Sequence, residues 1–257
     1  MFRAPGERMA TRLLFWKKEE EEAASDETHA KPGFLSDFIL GSQDGLVNVL
    51  GVILGVAIAS RDLTIILAGG LAATFAESIS MGAVAYTTTL ARRDHYISEV
   101  ERERQEMVEL PDRERDEVRE IFERWDFKGQ ELEDIVDRIV AKPKAWLELM
   151  MAHELTLAPV DKSQAMKSAI LVGTAAIVGS LIPLAPFFAT RNDILLGIVL
   201  SLIVSAATLF FIGWYKARHT VGRPTRSGLQ MLVIGLGSAL AGFGIAYLVS
   251  GGTLVGP

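Results

Sequence analysis

Glu77 and Met81 stand one helical turn apart, a carboxylate and a soft thioether, in a stretch from Leu63 to Ala91 that holds no other charged residue. Asp44 is likewise the one charge between residues 38 and 60, and it keeps polar company in Ser42, Gln43 and Asn48. Ionisable side chains at bilayer depth are costly and normally face a polar cavity, so each is a functional residue by default. Two acids, a thioether and the hydroxyls of Ser78 and Ser80 on consecutive apolar segments read as a path for a cation. The same acids can carry protons, because burial favours the neutral carboxyl and a passing cation favours the charged one. The bland alternative is a neutral carboxyl hydrogen-bonded between two helices.

A second set of candidate ligands lies in the charged middle of the chain. Residues 91–163 carry 20 of the 32 acidic residues against 13 basic ones. In 112–127, Val118, Ile121, Phe122 and Trp125 recur with helical spacing and define a buried face. Glu114 projects onto that face and Glu117 onto its border, while Asp116, Glu120 and Glu123 point to water. Burying a carboxylate without a partner is costly, so inward-turned acids imply a cation between them. Glu103 and Glu106 repeat the three-residue spacing on the preceding helix. In PKAWLELMMAHELTLAP, Met150, Met151 and Glu154 lie four and three residues apart and can share a face, with His153 expected at the surface. Hard carboxylate oxygens mixed with thioether sulfur suit a borderline ion such as Fe²⁺ better than Ca²⁺ or Mg²⁺. Against this stand two ordinary roles, methionine as a core gap-filler and charged helix faces that are simply solvated.

These residues need a membrane scaffold to position them. Of the 257 residues 49% are hydrophobic, concentrated in 38–60, 63–91, 168–190, 194–215 and 227–257. Each segment supplies the roughly 20 residues needed to cross about 30 Å of hydrocarbon as a helix. The expected fold is an all-α integral membrane protein with five transmembrane helices. An acidic, metal-binding cytosolic domain of three to four helices is inserted between the second and third. The expected boundaries are a disordered cytosolic tail over 1–36, the first two spans over 37–92, the insert over 93–162 and the last three spans over 163–257. Residues 93–110 continue the second span, because no breaker separates them, and Pro111, Gly129 and Pro143 punctuate the rest. The piece around Trp146 is expected to be an amphipathic helix at the bilayer interface.

Apart from Arg61 and Arg191, 24 of the 26 basic residues fall in the tail, in 92–167 and in 216–226. The positive-inside rule therefore makes the N-terminus, the insert and the 216–226 loop cytosolic and leaves the C-terminus (VSGGTLVGP) outside. That loop, KARHTVGRPTR, is a topology determinant, with contact to anionic lipid as a second role. Gly41–Gly45 and Gly51–Gly55 are spaced for close helix approach, Pro183 and Pro186 for a kink, and Gly235, Gly237, Gly242 and Gly244 for tight packing of the last span. The absence of cysteine excludes disulfides and thiolate ligands.

The stretches DFILGSQDGLVNVLGVILGVA, AESISMGAVAYTTTLARRDHY, LPDRERDEVREIF and KPKAWLELMMAHELTL, in that order from Asp37 onward, resemble the vacuolar iron transporter (VIT) family. That family includes bacterial and archaeal members, the type this chain is read as. The resemblance implies an exporter that moves Fe²⁺, with Mn²⁺, Co²⁺ or Zn²⁺ as further ions, out of the cytosol in exchange for protons. It implies a homodimer with a pore between subunits, fed by the cytosolic helical domain. Carried over residue by residue, it assigns metal capture to Glu103, Glu106, Glu114, Glu117, Met150, Met151 and Glu154, and the pore to Asp44 and Met81. Glu99, Glu101 and Glu109 crowd the helix of Glu103 and Glu106 and compete for the same assignment. For a prokaryotic chain the membrane is the plasma membrane.

An enzyme is not expected: membrane di-iron sites use Glu-x-x-His, and no Glu here has a His three residues on. The transport substrates are divalent metal and protons, and neither an organic cofactor nor a nucleic-acid partner is expected. The competing reading is a non-transporting membrane metal sensor or scaffold, which would use the acidic domain but have no need of Asp44, Glu77 and Met81.

Overall fold

The computed structural model describes residues 32–190 and 193–249. The tail as far as residue 31, Arg191 and the C-terminal residues from 250 onward, on which the tail and terminus expectations fall, lie outside the described residues. The regular structure of the described residues is helical. In chain order these are α1 (Pro32–Ser60), α2 (Leu63–Glu109), α3 (Pro111–Arg124), α4 (Gly129–Val140), α5 (Pro143–Leu149), a π-helical turn (Met150–Glu154), α6 (Lys162–Ala189), α7 (Ile194–His219) and α8 (Pro224–Val249).

Five of these, α1, α2, α6, α7 and α8, are long and apolar enough to cross a membrane. Their starts are set by short polar side chains: Asp62 accepts from the backbone N–H groups of Thr64 and Ile65, Asp161 from Ser163 and Asp193 from Leu196. Helix α2 runs 47 residues without a break, so the second apolar segment and its charged continuation are one rod.

The apolar core of the spanning bundle is built around α1, whose Val49, Leu50, Ile53 and Leu54 pack with Ile66 of α2, Leu184 and Phe187 of α6 and Ala239 of α8. Backbones touch where α1 meets α6. A Cβ on Gly41 or Gly45 would strike the carbonyls of Val172 or Ala176, and one on Gly179 the carbonyl of Ser42. Glycine at these points permits close approach in a setting where lipid gives helices no hydrophobic reason to associate. The last span behaves less uniformly than its glycines predict. Gly235 abuts Leu209 and Val47, whereas Gly237 and Gly244 meet nothing within 4 Å, so tight packing holds for the former alone of these three.

Between α2 and α6, the short helices enclose their own small core of Val118, Ile121, Phe122, Leu132, Val136, Trp146 and Met150. Trp146 is 5% exposed and belongs to that core, not to a bilayer-facing surface. The expected interfacial helix is therefore corrected: α5 ends at Leu149, and its aromatic residue is needed to close a core that few other residues fill. Trp125 is corrected in the opposite sense. The helix stops at Arg124, so Trp125 leaves the buried face, is 47% exposed and packs edge-on against Phe122 and His153. Helices α3 and α4 are clasped by ions, Arg119 Nε lying 2.8 Å and Arg115 Nη2 3.2 Å from Glu133. Those two guanidiniums, Arg119 foremost, hold the Glu133 carboxyl down at about 2.

Candidate functional site

Three carboxylates from three different elements converge beside the small core. Glu103 comes from the far end of α2, Glu114 from the first turn of α3 and Glu154 from the π-helical turn; one oxygen of each lies within 4.8 Å of the others. Glu103 and Glu114 are each 1% exposed, and Glu154 stands at the open edge. Glu114 is placed by helical period, four residues before the buried Val118. Glu154 is placed by the π turn, in which Leu155 N–H donates to Met150 C=O at 3.1 Å, the wider loop typical of such turns at functional sites.

The electrostatics of the cluster are those of a site short of positive charge. Desolvation first, then the hydrogen bond to Glu103 and repulsion from Glu103, Glu117 and Glu106, pushes the Glu114 carboxyl up to about 8. Desolvation, followed by repulsion from Glu117, Glu114 and Glu106, lifts Glu154 to about 7. Glu103 Oε1 and Glu114 Oε2 are buried with no hydrogen-bond partner among the described residues. Buried acceptors are ordinarily satisfied, so two orphaned carboxylate oxygens on neighbouring acids of one cluster fit a cation.

Glu106 and Glu117 form the rim. Both are partly exposed, Glu106 near Arg102 (3.9 Å) and Glu117 bound to Arg113 (3.2 Å), and both bear electrostatically on Glu114. The crowded acids of α2 are now separable: Glu99 pairs with Arg102, Glu101 with Arg104, and Glu109 accepts from Gln105, while Glu103 alone of the series turns inward. Met150 lies in the apolar core with Trp146 and Val118, and Met151 is buried beside it in sequence at 3% exposure. His153 is exposed, with its ring 4.9 Å from that of Trp125.

In the spans, α1 and α2 present a second polar group. Asn48 Nδ2 donates to Glu77 Oε1 at 2.5 Å, and Asp44, one turn before Asn48 on α1, bears electrostatically on Glu77. Met81 follows one turn along α2. Asp44, Glu77 and Met81 are half-buried and Asn48 is exposed, so this polar group opens on the outer face of the single chain. Asn48 is the participant that the sequence reading left as mere company. Its four-residue spacing from Asp44 was the available signal, since that spacing puts both on one face.

Five apolar helices, acids at the depth of two of them and a carboxylate cluster on the helical insert define a multi-pass helical membrane protein with acidic groups in both its spans and its insert. The VIT family model matches residues 35–247, and the chain belongs to that family. It is 33% identical over 238 residues to "Vacuolar iron transporter 1" of Oryza sativa subsp. japonica, covering 89% of this chain and 93% of that one. To "Vacuolar iron transporter 1" of Eucalyptus grandis it is 32% identical over 248 residues, 95% of each chain. To the "Vacuolar iron transporter" of Plasmodium falciparum it is 28% identical over 217 residues, 81% of this chain and 80% of that one. These relatives are named as transporters, not enzymes, and none of the three sources is bacterial or archaeal, the type expected above.

Proposed function

We propose that this chain exports Fe²⁺ from the cytosol in exchange for protons, with Mn²⁺, Co²⁺ and Zn²⁺ as competing ions. The names of its relatives supply iron as the substrate, and the chemistry of the carboxylate cluster agrees with a divalent cation. In this reading the helical insert is cytosolic, and Glu103, Glu114 and Glu154, with Glu106 and Glu117 at the rim and Met150 and Met151 behind, concentrate metal at the pore mouth. Metal arriving at Glu114 and Glu154 displaces protons that these groups hold near neutral pH. The ion then passes Met81, Asp44 and Glu77. Protons entering from the opposite side neutralise those acids and release it.

The observation that carries the proposal is the Asn48–Glu77 hydrogen bond inside apolar helices, with Asp44 one turn away on the face of Asn48, partly open to the outside of one chain. Polar groups there require cover, and five spans without an internal inverted repeat are most simply covered by a second copy around a two-fold axis. The proposed pore therefore lies between the α1–α2 faces of a homodimer. Proteoliposomes test it: Fe²⁺ flux should require an opposing proton gradient and fall to background in Asp44→Ala. Flux indifferent to both would end the proposal. A metal sensor, by contrast, would keep its metal response in that variant.

A further inference from the structure

The turn between α7 and α8 encloses a pocket of about 430 Å³ that the transport reading does not use. Lys216 from the end of α7, Arg223 from the turn and Arg226 from the start of α8 line it, together with Ser227 and with Thr220, whose hydroxyl donates to the Lys216 carbonyl at 2.8 Å. Among the described residues none of the three cations pairs with a carboxylate, although the neighbouring Arg218 is occupied, its guanidinium 5.3 Å from the Trp214 ring. Three like charges around one concavity make it a place where an anion would be drawn.

The residues around the pocket point to the kind of anion it would take. Trp214 and Tyr215 occupy the turn of α7 just before Lys216, the position such rings take at headgroup level. Leu229 and Val233, three and seven residues beyond Arg226 on α8, are 55% and 65% exposed, and continue apolar surface from the cationic rim toward the bilayer. At the tip, Val221 is wholly exposed. Cations next to interfacial aromatic rings and an apolar track match a molecule with a phosphate at one end and acyl chains at the other.

We propose that Lys216, Arg223 and Arg226 form a binding pocket for the phosphate of an anionic phospholipid. Five single crossings put this turn on the same side of the membrane as the helical insert, so the lipid belongs to the leaflet beneath that insert. The proposal stands apart from metal transport, since none of these residues belongs to the cation path.

The test uses the full chain reconstituted in phosphatidylcholine bilayers with and without phosphatidylglycerol, read by native mass spectrometry and thermal unfolding. Wild-type protein retains phosphatidylglycerol and unfolds at higher temperature in its presence. Arg223→Gln and Arg226→Gln, exposed single substitutions that leave the fold intact, each weaken retention about fivefold. The triple variant with Lys216→Gln abolishes both the retention and the stabilisation, while its melting in pure phosphatidylcholine stays at the wild-type value. Retention unchanged in these variants overturns the site. An equal loss in Lys142→Gln, outside the pocket, also overturns it by showing attraction of surface charge alone. Stabilisation by inorganic phosphate in pure phosphatidylcholine to the same extent overturns the lipid assignment in favour of a soluble anion.

Discussion

Asn48 Nδ2 and Glu77 Oε1 meet at 2.5 Å, and that hydrogen bond ties α1 to α2 at the level of the acids in the spans. Asn48 orients the carboxylate without being the charge that a cation would need. Asn48→Ala should therefore lower Fe²⁺ flux in proteoliposomes by about tenfold, the effect typical of removing a partner that holds a ligand in place. The protein should remain folded and its insert should bind metal as before. Flux equal to wild type would remove Asn48 from the path.

The raised carboxyls of the cluster set a pH dependence of stability with a definite sign. Glu114 at about 8 and Glu154 at about 7 both lie above the ordinary 4.5, so the folded insert holds more protons than the unfolded chain. Stability from this source is complete below 4.5 and is lost as pH rises through about 7 and then about 8. Metal-free protein should thus melt at progressively lower temperature across that window. Fe²⁺ or Mn²⁺ should reverse the trend, because a bound cation takes over from the protons. A chelated protein that melts higher at pH 8 than at pH 6 would contradict this reading.

Glu114→Gln separates binding from folding. The amide keeps the shape and removes the charge that Glu103, Glu117 and Glu106 oppose. The metal-free variant should be at least as stable as wild type at neutral pH, while its affinity for divalent metal, measured by titration calorimetry, falls by about tenfold or more. The double variant Glu114→Ala with Glu117→Ala should reduce flux at low Fe²⁺ most. Loss of fold with unchanged affinity would make these residues structural.

Gly179 offers a test of the bundle itself. A methyl there meets the backbone carbonyl of Ser42, which cannot swing aside as a side chain would. Gly179→Ala should cost about 1–3 kcal/mol by forcing α1 from α6, read as a lower melting temperature in detergent. Gly237→Ala, with nothing within 4 Å, should leave melting unchanged.

Met150 and Met151 divide packing from ligation. Met150→Ala opens a cavity in the core shared with Val118 and Trp146, at a cost of about 2–5 kcal/mol. Met150→Leu should restore most of that stability. Metal affinity in the leucine variant then reports directly on the thioether: unchanged affinity assigns Met150 to packing alone.

Much of this arrangement was legible in the amino-acid order, for physical reasons. The spans were legible because bilayer crossing demands long uncharged runs, and Glu114 because helical period puts it in line with Val118 and Ile121. Glu103 could not be singled out from Glu99, Glu101 and Glu109 by spacing. Its burial depends on where α2 passes α3 and the π turn, while the other three find partners on their own helix. Trp125 was misplaced because a period says which face is apolar but not where a helix stops, and here Asp126 at φ 70 turns the chain. The π turn at Met150–Glu154 has no local signature, since its wider hydrogen bonding is decided by what packs around it.

Helix α2 contains no proline and carries Glu77, Met81, Glu103 and Glu106 on one rod about 70 Å long. The two groups of acids, roughly 40 Å apart on it, cannot shift independently without breaking that rod. A rigid tilt of α2 therefore moves Glu77 and Glu103 together. In the proposed transport cycle, loading at one end and release at the other ride on this single lever arm, which a kink engineered between Ala91 and Glu103 should uncouple.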